Sequence, residues 1–173
     1  VQITKSTQGS DPASVAYKAI KEWRRFSGDR TGMKVTIDKR IPSMAGLGGG
    51  SSDAVATLRG LNLYHGQPYT NKDLSVVAEK LGSDCPFFLH DGIGHAIGRG
   101  DKVRIISGTE QNEINGQRIF LFQPPIGFST PLIYKALAAN GSYSDPCWAK
   151  KVVQEWEAGE RSVSDFCHND FES

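Results

Sequence analysis

Apolar residues recur every three or four positions in four stretches of the chain, the spacing that places them on one face of an α-helix. Asp11-Pro12 is typical of the start of the first helix, and Gly28 marks its end. Thr70 and Asp73 have the spacing of a capping box, and Thr130-Pro131 predicts a further helix through Ala138. The four predicted faces are Val15, Ala16, Ala19, Ile20, Trp23 and Phe26; Val55, Leu58 and Leu61; Leu74, Val77, Ala78 and Leu81; Trp148, Val152 and Trp156.

Short strand-like patterns lie between these helices. Residues 34–38 alternate apolar and polar side chains, which predicts a strand. Residues 96–106 predict a pair of strands around a glycine turn, and residues 119–122 predict one more strand, ended by two prolines. Residues 87–89 form a short apolar run that we expect to be buried.

Composition excludes several classes of protein. The 173 residues suffice for one ordinary domain or two small ones, and 38% hydrophobic residues are too many for a disordered chain. Lys and Arg total 20 against 19 for Asp and Glu, so a basic nucleic-acid binder is not expected. Residues 1–10 are polar and no apolar run approaches a membrane span, so we expect neither a signal peptide nor a membrane association.

The cysteines and histidines do not suggest a metal site. Cys85, Cys147 and Cys167 are far apart, and the four histidines are scattered. Neither set has the spacing of metal ligands, so no metal-binding residue is predicted. An odd number of widely spaced cysteines favours reduced thiols and a cytoplasmic location.

Glycine is in excess, with 19 residues, and its densest cluster is the segment Gly46–Ser52 between a predicted strand and a predicted helix. Glycines let the backbone take positive φ and approach a ligand closely. The helix, expected to begin near Ser52, would point its unpaired N–H groups and positive dipole end into this loop. Together these features predict a phosphate site, with Ser51 and Ser52 adding hydroxyl groups. A merely flexible turn is the alternative.

Two better-known phosphate loops do not fit this segment. The P-loop needs Lys and then Ser or Thr after its last glycine, whereas Gly50 is followed by Ser51 and Ser52. The dinucleotide pattern needs a third glycine where Ser51 stands.

Residues 42–54 resemble the phosphate loop of the GHMP kinases, a family of small-molecule kinases. Further motifs follow the family's order along the chain, and the resemblance runs from about residue 10 to residue 173. These motifs are Ile37-Asp38-Lys39-Arg40-Ile41-Pro42, Leu61-Asn62, Leu81-Gly82-Ser83-Asp84-Cys85-Pro86-Phe87-Phe88, Gly98-Arg99-Gly100-Asp101, Ser129-Thr130-Pro131 and Asn169-Asp170-Phe171-Glu172.

The resemblance implies ATP and Mg²⁺ as cofactors and assigns roles by matching position. Asp84 matches the catalytic aspartate that accepts or orients the proton of the acceptor hydroxyl; the alternative is an aspartate that caps a turn. Thr130 matches a substrate-binding threonine, although it also suits a helix N-cap. Lys39 is either a nucleotide ligand or an exposed lysine without a role. The residues assigned to nucleotide binding are Lys39, Pro42, Gly46, Leu47, Gly48, Gly49, Gly50, Ser51 and Ser52.

Within the family, the triple glycine before Ser51 and the motif around Asp84 imply one substrate. That substrate is 4-diphosphocytidyl-2-C-methyl-D-erythritol, phosphorylated on its 2-hydroxyl in the non-mevalonate isoprenoid pathway. The alternatives are a GHMP kinase acting on homoserine, mevalonate or a sugar, and a nucleotide-binding fragment without catalysis.

The resemblance also implies an α+β fold. Residues 1–107 would form an incomplete N-terminal half, similar to domain 2 of ribosomal protein S5, and residues 117–173 the beginning of a ferredoxin-like C-terminal domain. The family's first segment, with its lysine and Tyr-His pair, and its last glycine loop are not matched here. We therefore expect the 173 residues alone to bind nucleotide weakly and to turn over poorly or not at all. An incomplete sheet has an open edge, from which a homodimer is a hypothesis.

Overall fold

The computed structural model describes residues 2–5, 14–42, 45–106, 116, 118–122, 130–141, 143–162 and 169–170. Contacts divide the chain into two compact units, Val1–Ile105 and Ile106–Ser173. The elements in chain order are β1 (Gln2–Lys5), α1 (Val15–Ser27), β2 (Met33–Thr36), α2 (Gly49–Tyr64), α3 (Asn71–Ala78), a 3₁₀ helix (Cys85–Leu89), β3 (Ile93–Ile97), β4 (Lys102–Ile106), α4 (Thr130–Asn140) and α5 (Pro146–Glu157).

The predicted α+β class is confirmed. Strands β1 and β2 pair antiparallel with Ile3 opposite Val35, and β3 pairs with β4. The β2 strand covers residues 33–36 rather than 34–38, and the strand pair predicted from residue 96 begins at Ile93. None of the helices in the described ranges is long and apolar enough to cross a membrane.

Helices α1, α2 and α3 pack with the 3₁₀ helix around the core of the first unit. The apolar faces predicted for these helices are the ones that pack here, because helical spacing collects them on one side. Phe87 and Phe88 were expected to be buried but are only half-buried, whereas Leu89 is fully buried. The core consists of Ala19, Trp23, Ala54, Val55, Leu58, Leu61, Leu74, Val77, Ala78, Cys85 and Leu89.

The helix ends follow their predicted chemistry where they are described. Gly28 ends α1 with a φ of +76° and donates its N–H to the carbonyl of Arg24 at 3.0 Å. Thr70 and Asp73 form the predicted capping box of α3. The start predicted at Asp11 and Pro12 lies outside the described residues, and the described helix begins after Ser14.

The predicted start of α2 near Ser52 was wrong. The helix begins at Gly49, because Gly48 takes a φ of +64° as its N-cap and the next two glycines already have helical geometry. Glycine's low helix propensity favours a later start. Tertiary packing decides otherwise, since Gly49 is buried and a Cβ there would lie 2.8 Å from Ile41 Cγ2.

The strand predicted over residues 119–122 was also wrong. These residues take no strand conformation, and their side chains are exposed, with Phe120 and Phe122 at 92%. An apolar run becomes a strand only when a neighbouring strand pairs with it, and no such pairing occurs in the described part of the chain.

The second unit contains α4 and α5. Helix α4 begins at Thr130, as predicted, and continues to Asn140, two residues beyond the expected end. Asp145 caps α5 by accepting the N–H of Cys147 at 2.8 Å. Val152 and Trp156 of the predicted α5 face are buried, and Trp148 is half-buried.

Candidate active site

The glycine loop lies between the end of β2 and the start of α2, and its backbone depends on glycine at two positions. Gly46 and Gly48 have φ values of +70° and +64°, which side-chain-bearing residues rarely adopt. A Cβ on Gly48 would also lie 2.9 Å from Phe88 Cζ. The loop can therefore approach the 3₁₀ helix closely only without side chains.

The first turn of α2 presents a row of backbone donors. The first intrahelical bond is donated by Ser52 to the carbonyl of Gly48 at 2.9 Å. The N–H groups of Gly49, Gly50 and Ser51 consequently have no partner within the helix. These donors and the positive end of the helix dipole together suit an anion such as a phosphate.

A cavity of about 540 Å³ opens in front of this turn. It brings together eight of the nine residues predicted to bind nucleotide; Ser52 is not among its lining residues. Five lining residues were not assigned to nucleotide binding by sequence reasoning: Ser14, Val15, Ile37, Ala45 and Asp53. The predicted residues in the lining are Lys39, Pro42, Gly46, Leu47, Gly48, Gly49, Gly50 and Ser51.

Lys39 forms an ion pair with Asp53. Its Nζ lies 2.5 Å from Asp53 Oδ2, and the two side chains are 35% and 18% exposed. A Cβ on Gly49 would lie 3.1 Å from the same Nζ, so the ammonium group lies beside the first turn of α2. The sequence offered one signal for Asp53, an acidic residue just after the two loop serines.

Asp84 lies at the residue preceding the 3₁₀ helix and is exposed. Its Oδ1 accepts a hydrogen bond from Ser83 Oγ at 3.1 Å. It is not among the residues lining the cavity of the glycine loop. A Cβ on Gly100 would lie 3.6 Å from its Oδ1, so the turn between β3 and β4 passes close to the carboxylate.

Cys85 connects the Asp84 segment to the glycine loop. Its buried Sγ lies 4.0 Å from the carbonyl oxygen of Ser51. Burial raises the pKa of this thiol, since a thiolate would be desolvated there. A second cavity, of about 200 Å³, lies beside Cys85. It is lined by Val15, Lys18, Gly50, Ser51, Ala54, Leu81 and Cys85.

The remaining predicted site residue, Thr130, belongs to the second unit. It is the first residue of α4, and its side chain is outside the described part of the structure. Its contact with substrate therefore stays a prediction. Among the described residues no three His, Cys, Asp or Glu side chains cluster as a metal site would require.

Residues 14–92 match the family described as GHMP kinases N terminal domain. This segment contains the loop, the cavity and Asp84. Residues 14–92 of the chain therefore belong to the N-terminal domain family of the GHMP kinases.

Several relatives within the GHMP kinases carry the same name, 4-diphosphocytidyl-2-C-methyl-D-erythritol kinase. The protein of Persephonella marina is 39% identical over 127 residues, which are 73% of this chain and 44% of the relative. That of Listeria monocytogenes serotype 4a is 35% identical over 150 residues, 87% of this chain and 49% of the relative. That of Brevibacillus brevis is 40% identical over 119 residues, which are 69% of this chain and 39% of the relative. The chain thus spans less than half the length of each of these GHMP kinases.

A solved structure of a GHMP kinase is also similar. The crystal structure of a 4-(cytidine 5'-diphospho)-2C-methyl-D-erythritol kinase matches with a TM-score of 0.68 and 26% sequence identity. The match covers 99% of this chain and 61% of that one.

Proposed function

We propose that this protein is an ATP-dependent kinase that phosphorylates the 2-hydroxyl of 4-diphosphocytidyl-2-C-methyl-D-erythritol in the non-mevalonate isoprenoid pathway. The observation that carries the proposal is the cavity at the first turn of α2, lined by the glycine loop and Lys39. The names of the relatives support the choice of acceptor.

The nucleotide would bind with its phosphates at the first turn of α2. The N–H groups of Gly49, Gly50 and Ser51 would donate to phosphate oxygens, and Lys39 would add a positive charge. Such fixed donors stabilise the charge on a transferring phosphoryl group without reorganising during the reaction. A bound Mg²⁺ would supply further charge neutralisation, and Ser51 and Ser52 offer hydroxyl groups near it.

Asp84 is proposed as the general base. The acceptor oxygen attacks the γ-phosphorus, its proton passes to the Asp84 carboxylate, and the bond to the β–γ bridging oxygen breaks to release ADP. The exposure of Asp84 supports access by a substrate hydroxyl. Thr130 is proposed to contact the diphosphocytidyl part of the acceptor.

The test is ADP release from Mg-ATP by the protein whose reading frame contains this sequence. The acceptors are 4-diphosphocytidyl-2-C-methyl-D-erythritol, homoserine and mevalonate, and the variant is Asp84→Asn. We expect turnover with the cytidyl compound alone and a loss of about 10²- to 10⁴-fold in the variant.

The control is Asp91→Asn, which should leave the rate unchanged. Asp91 is 93% exposed, and its partner Arg59 is 3.9 Å away. Turnover with homoserine or mevalonate instead would refute the acceptor, and an active Asp84→Asn would refute the base.

A nucleotide-binding module without catalysis is the second candidate. The observation favouring it is that Asp84 lies outside the cavity whose lining holds the nucleotide residues. Mg-ATP binding without ADP release, for every acceptor and with the complete reading frame, would decide for this candidate.

A homodimer and a cytoplasmic location are proposed as well. The exposed apolar side chains of residues 119–122 support self-association, and the free thiols of Cys85 and Cys147 support a reducing compartment. Light scattering at millimolar concentration should give a dimer mass that falls to the monomer mass in the double variant Phe120→Ser, Phe122→Ser. A monomer for the unaltered chain would refute the dimer.

A further inference from the structure

Asp53 is an unexpected residue in a cavity that suits phosphates. Among the described residues lining this cavity it contributes the one carboxylate, and Lys39 contributes the one amine. A carboxylate repels bound phosphate, so its presence weakens nucleotide binding unless it acts through another group. The ion pair with Lys39 is the contact through which it can act.

The two partners differ in how firmly the backbone holds them. Lys39 lies three residues beyond the end of β2. Its ammonium group is at the end of a side chain with four rotatable bonds. Asp53 belongs to the second turn of α2, and its carbonyl accepts a hydrogen bond from the buried Thr57 hydroxyl at 2.8 Å. The helix therefore fixes the backbone of Asp53, and the carboxylate on its short side chain limits where the paired lysine can point.

The ion pair holds the Lys39 ammonium group next to the backbone donors in the first turn of α2. Its Nζ would be 3.1 Å from a Cβ on Gly49, whose N–H is one of the three donors without a helical partner. The ammonium group thus stands beside the donors that would hold phosphate. A free lysine would lose side-chain entropy on reaching this position, and pre-positioning reduces that loss when the nucleotide binds.

We propose that Asp53 is a positioning residue, which holds Lys39 at the first turn of α2 ready for the nucleotide phosphates. The proposal rests on the nucleotide-binding part of the proposed function, but not on the acceptor or on Asp84. Asp53 has two opposing effects: it repels phosphate directly, and it favours binding through Lys39. The second effect outweighs the first only while Lys39 is present.

This opposition predicts a change of sign in a double-mutant cycle. With Lys39 present, Asp53→Asn should weaken Mg-ATP binding about fivefold, corresponding to a partly exposed ion pair. In a Lys39→Met background the same change should tighten binding, because only repulsion is then removed. A merely structural role for Asp53 would weaken binding in both backgrounds.

The experiment measures the dissociation constant of Mg-ATP by isothermal titration for the four proteins of the cycle, without an acceptor. The matched control is Asp38→Asn, which removes the same charge from an exposed pair with Arg40 at 2.9 Å outside the cavity lining. Binding should stay within about twofold in this control. Urea unfolding of each variant identifies any loss of folded protein.

The possible outcomes distinguish the positioning role of Asp53 from the proposed kinase function. Weaker binding with Lys39 and tighter binding without it would support the positioning role. Tighter binding in both backgrounds would show that direct repulsion between Asp53 and phosphate outweighs any positioning of Lys39. Equal weakening in both would show a structural role. Either result overturns the inference and leaves the kinase proposal intact. Absence of Mg-ATP binding in the unaltered protein would overturn both.

Discussion

Gly49 and Gly50 are adjacent residues in the first turn of α2, yet their surroundings differ. Gly49 is buried, and a Cβ there would lie 2.8 Å from Ile41 Cγ2, closer than real Cβ atoms approach. The nearest atom to a Cβ on Gly50 would be Val15 Cγ1 at 3.8 Å, which is ordinary contact. Close approach requires glycine at the first position, and nothing in the packing requires it at the second.

Gly49→Ala should therefore destabilise the protein by about 1–3 kcal/mol, because the added methyl group overpacks the site. Gly50→Ala should instead stabilise it by about 0.5–1 kcal/mol, since alanine loses less backbone entropy in a helix. Urea unfolding monitored by circular dichroism measures both. Equal destabilisation by the two substitutions would contradict the packing described for this turn.

The pKa of Asp29 leads to a second prediction at the scale of one residue. Burial would raise its pKa, but hydrogen bonds from Thr31 and the nearby His65, whose Nε2 is 3.2 Å away, hold the pKa of this carboxyl below its usual range. A lowered pKa stabilises the fold above the ordinary aspartate pKa, and this stabilisation is lost as the pH falls through the lowered value.

Asp29→Asn should accordingly unfold more easily than the unaltered protein at pH 7, and the difference should shrink below about pH 4. Thermal unfolding from pH 7 to pH 3 follows this difference. The control is Asp38→Asn, whose carboxylate is 76% exposed, and which should show no comparable pH dependence. A difference between Asp29→Asn and the unaltered protein that is constant with pH would contradict the prediction.

At the scale of the element, α3 is held at its start by local chemistry. Thr70 Oγ1 accepts the N–H of Asp73 at 3.3 Å, and the Asp73 carboxylate accepts the N–H of Thr70 at 2.9 Å. The helix then buries Leu74, Val77 and Ala78 against the core. The sequence predicted both features, because caps and apolar faces depend on residues three or four positions apart.

Thr70→Ala should lower the free energy of unfolding by about 1 kcal/mol, because it removes the cap hydrogen bond from Asp73 N–H and the bond that Thr70 Oγ1 donates to the Asp73 carboxylate at 2.6 Å. Thr70→Ser keeps the hydroxyl and should retain most of the stability. Urea unfolding of the three proteins tests this, and equal losses in the two variants would show that the threonine methyl group, rather than the cap, stabilises the helix start.

At the scale of the whole molecule, the nucleotide cavity and the main core belong to the same unit. Every residue of the core cluster lies between positions 19 and 89, within Val1–Ile105. The second unit has its own buried residues among those described, namely Ile106, Leu137, Val152 and Trp156. A substitution in the core of the first unit should thus weaken nucleotide binding, whereas one among the buried residues of the second unit should not.

Leu58→Ala should cost about 2–5 kcal/mol and weaken Mg-ATP binding, because α2 carries both Leu58 and the first-turn donors. Trp156→Ala should cost about 3–5 kcal/mol in the unfolding of α5 and leave the Mg-ATP dissociation constant unchanged. Unfolding curves and isothermal titration measure the two effects. Weaker nucleotide binding in Trp156→Ala would show that the second unit contributes to the nucleotide site.

Prediction from the sequence succeeded where the controlling interactions are local. Apolar spacing identified the helices, and Gly28 and the Thr70–Asp73 box identified helix ends. Eight of the nine residues predicted to bind nucleotide line one cavity, and their role stays a prediction. Prediction failed over residues 119–122, because a strand needs a partner that apolar character alone does not supply.

The sequence by itself determined the helices, the α+β class and a glycine loop before a helix, because propensity, capping and positive φ act over a few residues. Only the tertiary structure decided that α2 begins at Gly49, since the contact with Ile41 comes from a different segment. The same holds for Asp53, whose pairing with Lys39 joins residues fourteen positions apart. Distant contacts of this kind place the charged groups of the site, and no local pattern records them.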